Sequence, residues 1–429
     1  MLSHKLVLLT CALLALASVQ SVFAQGKSSP TVVKLIKTAT GYSLMKDGKP
    51  FFIQGVGGNL HLETLKSCGG NAIRTWGGDD QTEMLDACHK LGLSVCVGIW
   101  LGQQRQGFRY DDAGAVERQK QSSLAFVRRT KNHPAVLMWG LGNEMEGDGN
   151  DPKIWKVIDD LAKAVKLEDP NHPTMTVIAE IGGRAEKAVN FAKNCPNVDL
   201  LGVNSYAGLA SVPERMKAAG FNRPFVVTEF GTAGYWEVGS TSWRAQVEPL
   251  SSQKADSYLK NYRRSIAGEK GRCLGSFAFF WGQKQEATAT WFGMFLNSGE
   301  RTEAIETMQY LWTGKYPEVR CPRIVKFEST LKEKQVLPDS MNTAEITLAN
   351  PGQAGMIIRW EVRQESTDRK SGGDSENQPP SVSDCFVKTE ATKLTIKAPS
   401  GEGAYRLFVY AYDGKGNASV ANIPFLVKK

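Results

Sequence analysis

The sequence predicts an α/β protein: a closed (β/α)8 TIM barrel followed by a C-terminal antiparallel β-sandwich of immunoglobulin-like type. Three observations predict it. Eight short apolar runs alternate with segments whose apolar residues recur at helical spacing. The runs are continuous rather than alternating, as strands buried on both faces of a parallel sheet should be. Past Gly314 the pattern changes to short β segments punctuated by Gly, Pro, Asn and Ser. Strands and helices alternating eight times favour a closed barrel over the alternative, an open doubly wound sheet.

Taken in order, residues 1–24 carry Lys5, an apolar run from Leu6 to Val19 and small residues ending at Ala24. That is the pattern of a cleaved signal peptide, so a secreted or periplasmic location is expected. A hairpin follows around Asp47-Gly48, a good tight-turn dipeptide. The eight runs are FFIQGVG (51–57), NAIRTWG (71–77), LSVCVGIW (93–100), AVLMWGLG (135–142), TMTVIAE (174–180), DLLGVNS (199–205), PFVVTEF (224–230) and LGSFAFFW (274–281). Between them lie helical patterns such as QTEMLDACHKLG, DPKIWKVIDDLAKAVKLED, ERMKAAG and KADSYLKNYRRSIAGEKG, and EAIETMQYLWTG follows the last run. Asp151-Pro152 reads as an N-cap with proline at the first helical position.

The expected organisation is thus a signal peptide (1–24), a barrel with its N-terminal hairpin (25–314) and a sandwich (325–429), joined by the Pro-containing TGKYPEVRCPRI. Within the sandwich, AEITLAN, MIIRWEVRQE, TKLTIKAP, YRLFVYAYD and VANIPFLVKK read as strands. Their aromatics, Trp360, Phe386, Tyr405, Phe408, Tyr410 and Tyr412, mostly alternate as core residues would. The polar, Gly/Pro-rich stretch STDRKSGGDSENQPPS (366–381) reads as a mobile loop.

Composition excludes several classes. A formal charge of +8 is mild for this length, and the basic residues are interleaved with acids. Nucleic acid and anionic membrane are therefore poor partners, and no segment after the first approaches the roughly 20 apolar residues of a membrane span. Seven cysteines remain beyond residue 24, none spaced as a zinc site, and the simplest expectation is buried unpaired thiols. The five histidines are scattered, with His133 belonging to an Asn-His-Pro turn, and no metal site is expected. GVGGN lacks the glycine spacing of a dinucleotide loop, so no cofactor is expected. The oligomeric state stays open.

In a barrel the chemistry sits at the C-terminal strand ends. Two glutamates stand there: Glu144 after the fourth run and Glu229 at the end of the seventh. Paired carboxylates facing each other across a cavity suit glycosidic bond cleavage, where one donates a proton to the leaving oxygen and the other meets the cationic sugar carbon. Asn143 is placed to hydrogen-bond a sugar hydroxyl. Arg74, at the end of the second run, is placed to keep a carboxylate ionised. Glu180 and Glu146 are expected to be substrate contacts or surface charges. Trp139 is mid-strand and expected in the core, whereas Trp76, Trp100, Trp281 and Trp291 end or follow strands, where sugar stacking competes with packing. Gly140 and Gly142 are expected to leave room for backbone and ligand near Glu144.

KNHPAVLMWGLGNE and PFVVTEFG resemble the two signatures of retaining glycoside hydrolases with a (β/α)8 barrel, and most closely the catalytic domain of family 2. The resemblance covers residues 45–313. It implies Glu144 as acid/base, Glu229 as nucleophile, Asn143 as partner of the sugar 2-hydroxyl, Tyr206 as a donor to the nucleophile and Trp281 as platform under the cleaved sugar. Family 2 enzymes carry sandwich domains before the barrel, and this chain has its sandwich behind, an arrangement similar to secreted endo-β-1,3-glucanases of family 158. The expected activity is therefore retaining β-glycoside hydrolysis of a poly- or oligosaccharide such as a β-glucan. A transglycosidase using the same residues and a non-catalytic carbohydrate-binding protein are the alternatives.

Overall fold

A computed structural model describes residues 30–349 and 355–429; the expected signal peptide lies outside them. Barrel strands one to eight are Ile53–Gly57, Ala72–Arg74, Ser94–Ile99, Val136–Asn143, Thr174–Ala179, Leu200–Asn204, Phe225–Phe230 and Cys273–Ala278. Each pairs with the next, and strand eight closes on strand one through Gly275 to Ala278 against Ile53 to Val56, all parallel. The helices that follow strands one to eight are Leu62–Ser67, Thr82–Lys90, Ala113–Thr130, Pro152–Glu168, Glu186–Asn194, Val212–Ala218, Ser251–Ser265 and Glu303–Thr313. Their apolar faces pack on the outside of the barrel in one large core that includes Val97, Trp139, Trp155, Phe191 and Phe230. The helix after strand four starts as its sequence requires: Asp151 accepts from the Lys153 amide at 2.9 Å, with Pro152 at the first helical position.

Ahead of the barrel, Val33–Thr38, Gly41–Lys46 and Lys49–Pro50 form a small antiparallel sheet. Asp47 and Gly48 both take positive φ, 49° and 76°, between paired Lys46 and Lys49, as a two-residue hairpin turn demands. This sheet sends Val33 and Leu44 into the cluster of Ile53, Leu137, Met175 and Phe277. Side chains therefore fill the barrel, and the open end is the opposite one, where the strands finish.

Two antiparallel sheets make the C-terminal unit. One orders Ile324–Ser329, Met341–Leu348, Lys393–Lys397 and Phe386–Glu390; the other orders Gln335–Val336, Ala418–Val427, Gly403–Tyr412, Ile357–Gln364 and Ser381–Val382, with Gln335–Val336 paired in parallel to its neighbour. Strict alternation of exposed and buried residues along Met341–Leu348 marks a sheet with one face inward. The aromatics divide more finely than their spacing suggests. Trp360 and Tyr405 lie in the sandwich core. Phe408, Tyr410 and Tyr412 stack on the opposite face, where Tyr410 and Tyr412 pack on a cluster containing Leu296 of the barrel unit, and Phe386 is exposed.

That outer face, together with Ser419 at the end of the sheet, makes the joint between the units. Ser419 shares a hydrogen bond of 2.8 Å with Ser251 at the start of the helix after strand seven, Asn422 donates to Glu248 at 2.7 Å, and Arg406 donates to the Gln246 carbonyl at 2.9 Å. Lys254 pairs with the buried Glu248, so the charges at this joint are paired and hydrogen-bonded. All seven cysteines of the described residues are buried and unpaired. Burial pushes the thiols of Cys88, Cys96, Cys195 and Cys273 up to about 12, which keeps them inert.

Candidate active site

A cleft of about 720 Å³ opens at the C-terminal ends of the strands, within the size range of small-molecule sites. Glu229, in strand seven, faces it and accepts three hydrogen bonds. Arg74 Nη1 and Trp76 Nε1 each donate to Oε1 at 2.9 Å, and the Tyr206 hydroxyl donates to Oε2 at 2.8 Å. Arg74 is itself fixed: its Nη2 donates to Asn143 Oδ1 at 2.6 Å, Nη1 also reaches the Thr228 carbonyl, and the guanidinium lies 5.1 Å over the Trp76 ring. Burial first, and then the neighbouring Glu229 carboxylate, raise the Tyr206 hydroxyl well above its usual range. It therefore stays a donor.

Glu144 follows strand four in the left-handed conformation, φ 54°. A non-glycine residue held there costs about 1–3 kcal/mol, a cost that persists where the surroundings fix the geometry. Gly142, two residues earlier, has φ 73°, and a Cβ there would come within 2.7 Å of Met145. Gly140 has only ordinary contacts around it, so the steric demand for glycine rests on Gly142 alone. The Glu144 carboxyl accepts from Asn204 Nδ2 at 2.7 Å, and Asn204 is oriented by Thr228, whose hydroxyl donates to its Oδ1 at 2.7 Å. Desolvation, reinforced by the charge of Glu229 and opposed by the Asn204 bond, raises Glu144 to about 7. Two glutamates thus face one cleft in contrasting surroundings: one ringed by donors, the other poised to hold a proton near neutrality.

The remaining expected residues divide. Asn143 contacts Arg74 and Asn204 through its Oδ1 and lines the cleft. Trp100 lines it and is 43% exposed, a free aromatic face. Glu180 lines it too, in a left-handed conformation, but its oxygens are engaged by Arg215 at 2.7 Å, the Ile181 amide and the Ser205 hydroxyl. Trp281 departs from expectation. It is 0% exposed, packs edge-on against Phe295 at 5.3 Å and points Nε1 at the His61 carbonyl. Strand eight ends at Ala278, and the chain beyond it turns Phe279 and Phe280, joined by a cis peptide bond, to the cleft instead.

Glu146 departs as well. It is 3% exposed, accepts from the Ala179 amide and pairs with Lys187 at 2.9 Å, a structural ion pair behind the site rather than a surface charge or a contact in the cleft. Trp291 is buried, its Nε1 donating to the Ala233 carbonyl at 2.9 Å, while Trp76 is a direct ligand of Glu229. Trp139 is fully buried, with Nε1 donating to Asp169 at 2.8 Å. His133 bonds Asp86 and the Ala135 amide, a turn-fixing role.

Sequence reasoning missed Asn204, Lys284, Glu286 and Asp374. Asn204 had a signal, since it is the next-to-last residue of the sixth run. The other three had none: Lys284 and Glu286 follow strand eight in an irregular segment, and Asp374 comes from the sandwich. Among the described residues no group of His, Cys, Asp and Glu is arranged to hold a metal ion.

Comparison with known proteins bears on this geometry. Residues 46–313 match the model of the glycosyl hydrolases family 2 TIM barrel domain. A β-galactosidase of Bacteroides ovatus, BoGH2A, is 26% identical over 219 residues, covering 42% of this chain and 24% of that protein. A β-glucuronidase of Bacteroides fragilis is 31% identical over 134 residues, covering 30% and 19%. The matched segments thus span about a quarter or less of those relatives. A solved β-glucuronidase from an uncultured Clostridium superimposes with a TM-score of 0.53 at 18% identity, over 66% of this chain and 54% of that one, a likeness of fold.

Proposed function

We propose, from the premise that the chain belongs to the glycosyl hydrolases family 2 through its TIM barrel domain, that it is a secreted retaining β-glycosidase acting on a neutral sugar. Glu229 attacks the anomeric carbon, and Glu144 protonates the departing oxygen. Glu144 then takes a proton from the water that hydrolyses the glycosyl-enzyme. The observation that carries this reading is the contrast between the carboxyls. Donors from Arg74, Trp76 and Tyr206 aim two-sidedly at Glu229, the arrangement wanted around a nucleophilic anion, while burial lifts Glu144 to about 7, the value wanted in a proton donor. Asn143 is held by Arg74 and Asn204 at the lip of the same cleft, where a sugar hydroxyl would meet it.

The charge of the lining supports a neutral substrate over a uronic acid. Glu144, Glu180, Glu229, Glu237, Glu286 and Asp374 line the cleft, and Lys284 is the one base among its described lining residues. Lys284 is already engaged by Glu286 at 2.7 Å and the Gly373 carbonyl at 2.9 Å. A sugar carboxylate would enter against like charge. Trp100, Trp76 and Phe279 offer apolar faces for sugar rings. The residues before position 25 support export, and a β-glucan is the first polymer to try.

Reducing-sugar release by the mature protein from β-glucans, galactans, mannans and xylans, alongside aryl β-glucosides, β-galactosides and β-glucuronides, tests the reading. Activity on a neutral substrate that vanishes in Glu229→Gln, with the first-formed product having the β configuration by proton NMR, is expected. An α product would refute retention. Preference for the glucuronide would refute the neutral-sugar reading.

A further inference from the structure

One wall of the cleft comes from the other structural unit. Residues 371–374 of the sandwich, Ser-Gly-Gly-Asp, line it, and they are held against the barrel loops. Arg105, after strand three, bonds the Gly372 carbonyl at 3.4 Å and Asp374 at 3.2 Å, and Gln106 reaches both Asp374 oxygens at 3.4 Å. Lys284, after strand eight, donates to the Gly373 carbonyl at 2.9 Å. Tyr235, after strand seven, donates to the Lys370 carbonyl at 3.2 Å. The segment is anchored at its base by Glu376, 7% exposed, which accepts from the Ala287 amide at 2.8 Å and the Lys370 amide at 3.1 Å.

The composition that reads as mobility in the sequence serves close approach instead. Gly372 and Gly373 have φ 65° and 74°, and a Cβ on them would come within 2.5 Å of the Arg105 guanidinium and 3.0 Å of Lys284 Nζ.

The anchors define a direction. Strands seven, eight, one, two and three are consecutive around the barrel, so a segment tied to the loops after seven, eight and three covers the arc over strands one and two. Glu144 stands on the other arc, after strand four. A leaving group departs on the side of its proton donor, which puts the retained sugar toward the covered arc.

We propose, resting on the glycosidase reading above, that residues 370–376 form the end wall of the glycone side of the cleft, with Asp374 and the Gly372 and Gly373 backbone meeting the hydroxyls of a terminal sugar. A chain end fits against such a wall, and a chain interior does not. The sandwich is therefore a specificity element of the active site rather than a separate adhesive module.

The test is product analysis with the full mature chain. A neutral β-linked hexasaccharide labelled at its reducing end, and the parent polymer, are digested by wild type, by Asp374→Ala, and by a variant in which residues 371–374 are replaced by two glycines. Thermal unfolding verifies that the variants are folded. Wild type is expected to yield the labelled pentasaccharide first and to release sugar from the polymer with little loss of viscosity. Asp374→Ala is expected to raise KM at least tenfold, and the shortened variant to produce internal fragments and a viscosity loss per bond cleaved at least tenfold greater. Internal fragments from wild type, or folded variants with wild-type KM and products, would overturn the inference while leaving the glycosidase reading intact. A wild type that hydrolyses nothing would overturn both.

Discussion

Replacing Glu144 by Gln should stabilise the protein, and more so as pH rises. The substitution keeps an oxygen for Asn204 Nδ2 to donate to and removes only the ionisable proton. Raising this carboxyl from an ordinary 4.5 to about 7 makes its ionised form about 3 kcal/mol costlier in the folded chain than in the unfolded one, at about 1.36 kcal/mol per tenfold change in acidity. Glu144 is only partly buried and faces an open cleft, so solvent screening reduces the expected effect to about 2 kcal/mol.

The sign follows from linkage. Below 4.5 both states hold the proton and there is no penalty. From 4.5 upward the unfolded chain loses it first, and the penalty is complete once pH exceeds about 7. For a chain of this size, about 2 kcal/mol corresponds to roughly 2 °C in Tm. The assay is Tm of Glu144→Gln minus wild type at pH 4 and at pH 8. The difference is expected to grow by roughly 2 °C in favour of the variant. Glu303 is also raised to about 7 by burial at the domain joint, but it is present in both proteins and cancels. A difference that is flat or shrinks with pH would refute the assignment of Glu144 as the raised carboxyl.

Other outcomes follow from the same geometry. Wild-type kcat/KM should fall as pH rises through about 7, because the proton donor is lost there; a profile still rising at pH 8.5 would contradict Glu144 as acid. Tyr206→Phe removes one donor from Glu229 and should cost roughly 10- to 100-fold in kcat, the equivalent of about 1.5–3 kcal/mol for a hydrogen bond to a charged group, with KM little changed. Trp281→Ala should cost about 3–5 kcal/mol of stability, whereas Trp281→Phe should leave KM near wild type; a large KM increase in the folded Phe variant would restore Trp281 as a sugar platform. Lys187→Met leaves Glu146 buried and unpaired, and chemical denaturation should show a loss of about 3–5 kcal/mol.

The sequence by itself determined the periodic features. Eight apolar runs with intervening helical patterns were enough for the barrel, because burial on both faces of a parallel strand leaves a continuous apolar record. Polar residues toward the ends of those runs or just past them were legible too, and that is how Glu144, Glu229, Arg74 and Asn143 could be singled out. Tertiary structure alone decided what lay within a residue or two of those ends and across the two units. Beyond Ala278 no periodicity tells Phe279 and Phe280 from Trp281, and the fold buries the last against Phe295. Glu146 and Glu180 read alike, yet Lys187 draws one behind the barrel while the other reaches the cleft. The Ser-Gly-Gly-Asp wall carries no pattern that points to a barrel loop 267 residues away in sequence. Its place depends on how the sandwich docks through Ser419, Asn422 and Arg406. A contact between distant segments is a property of packing, and local spacing holds no record of it.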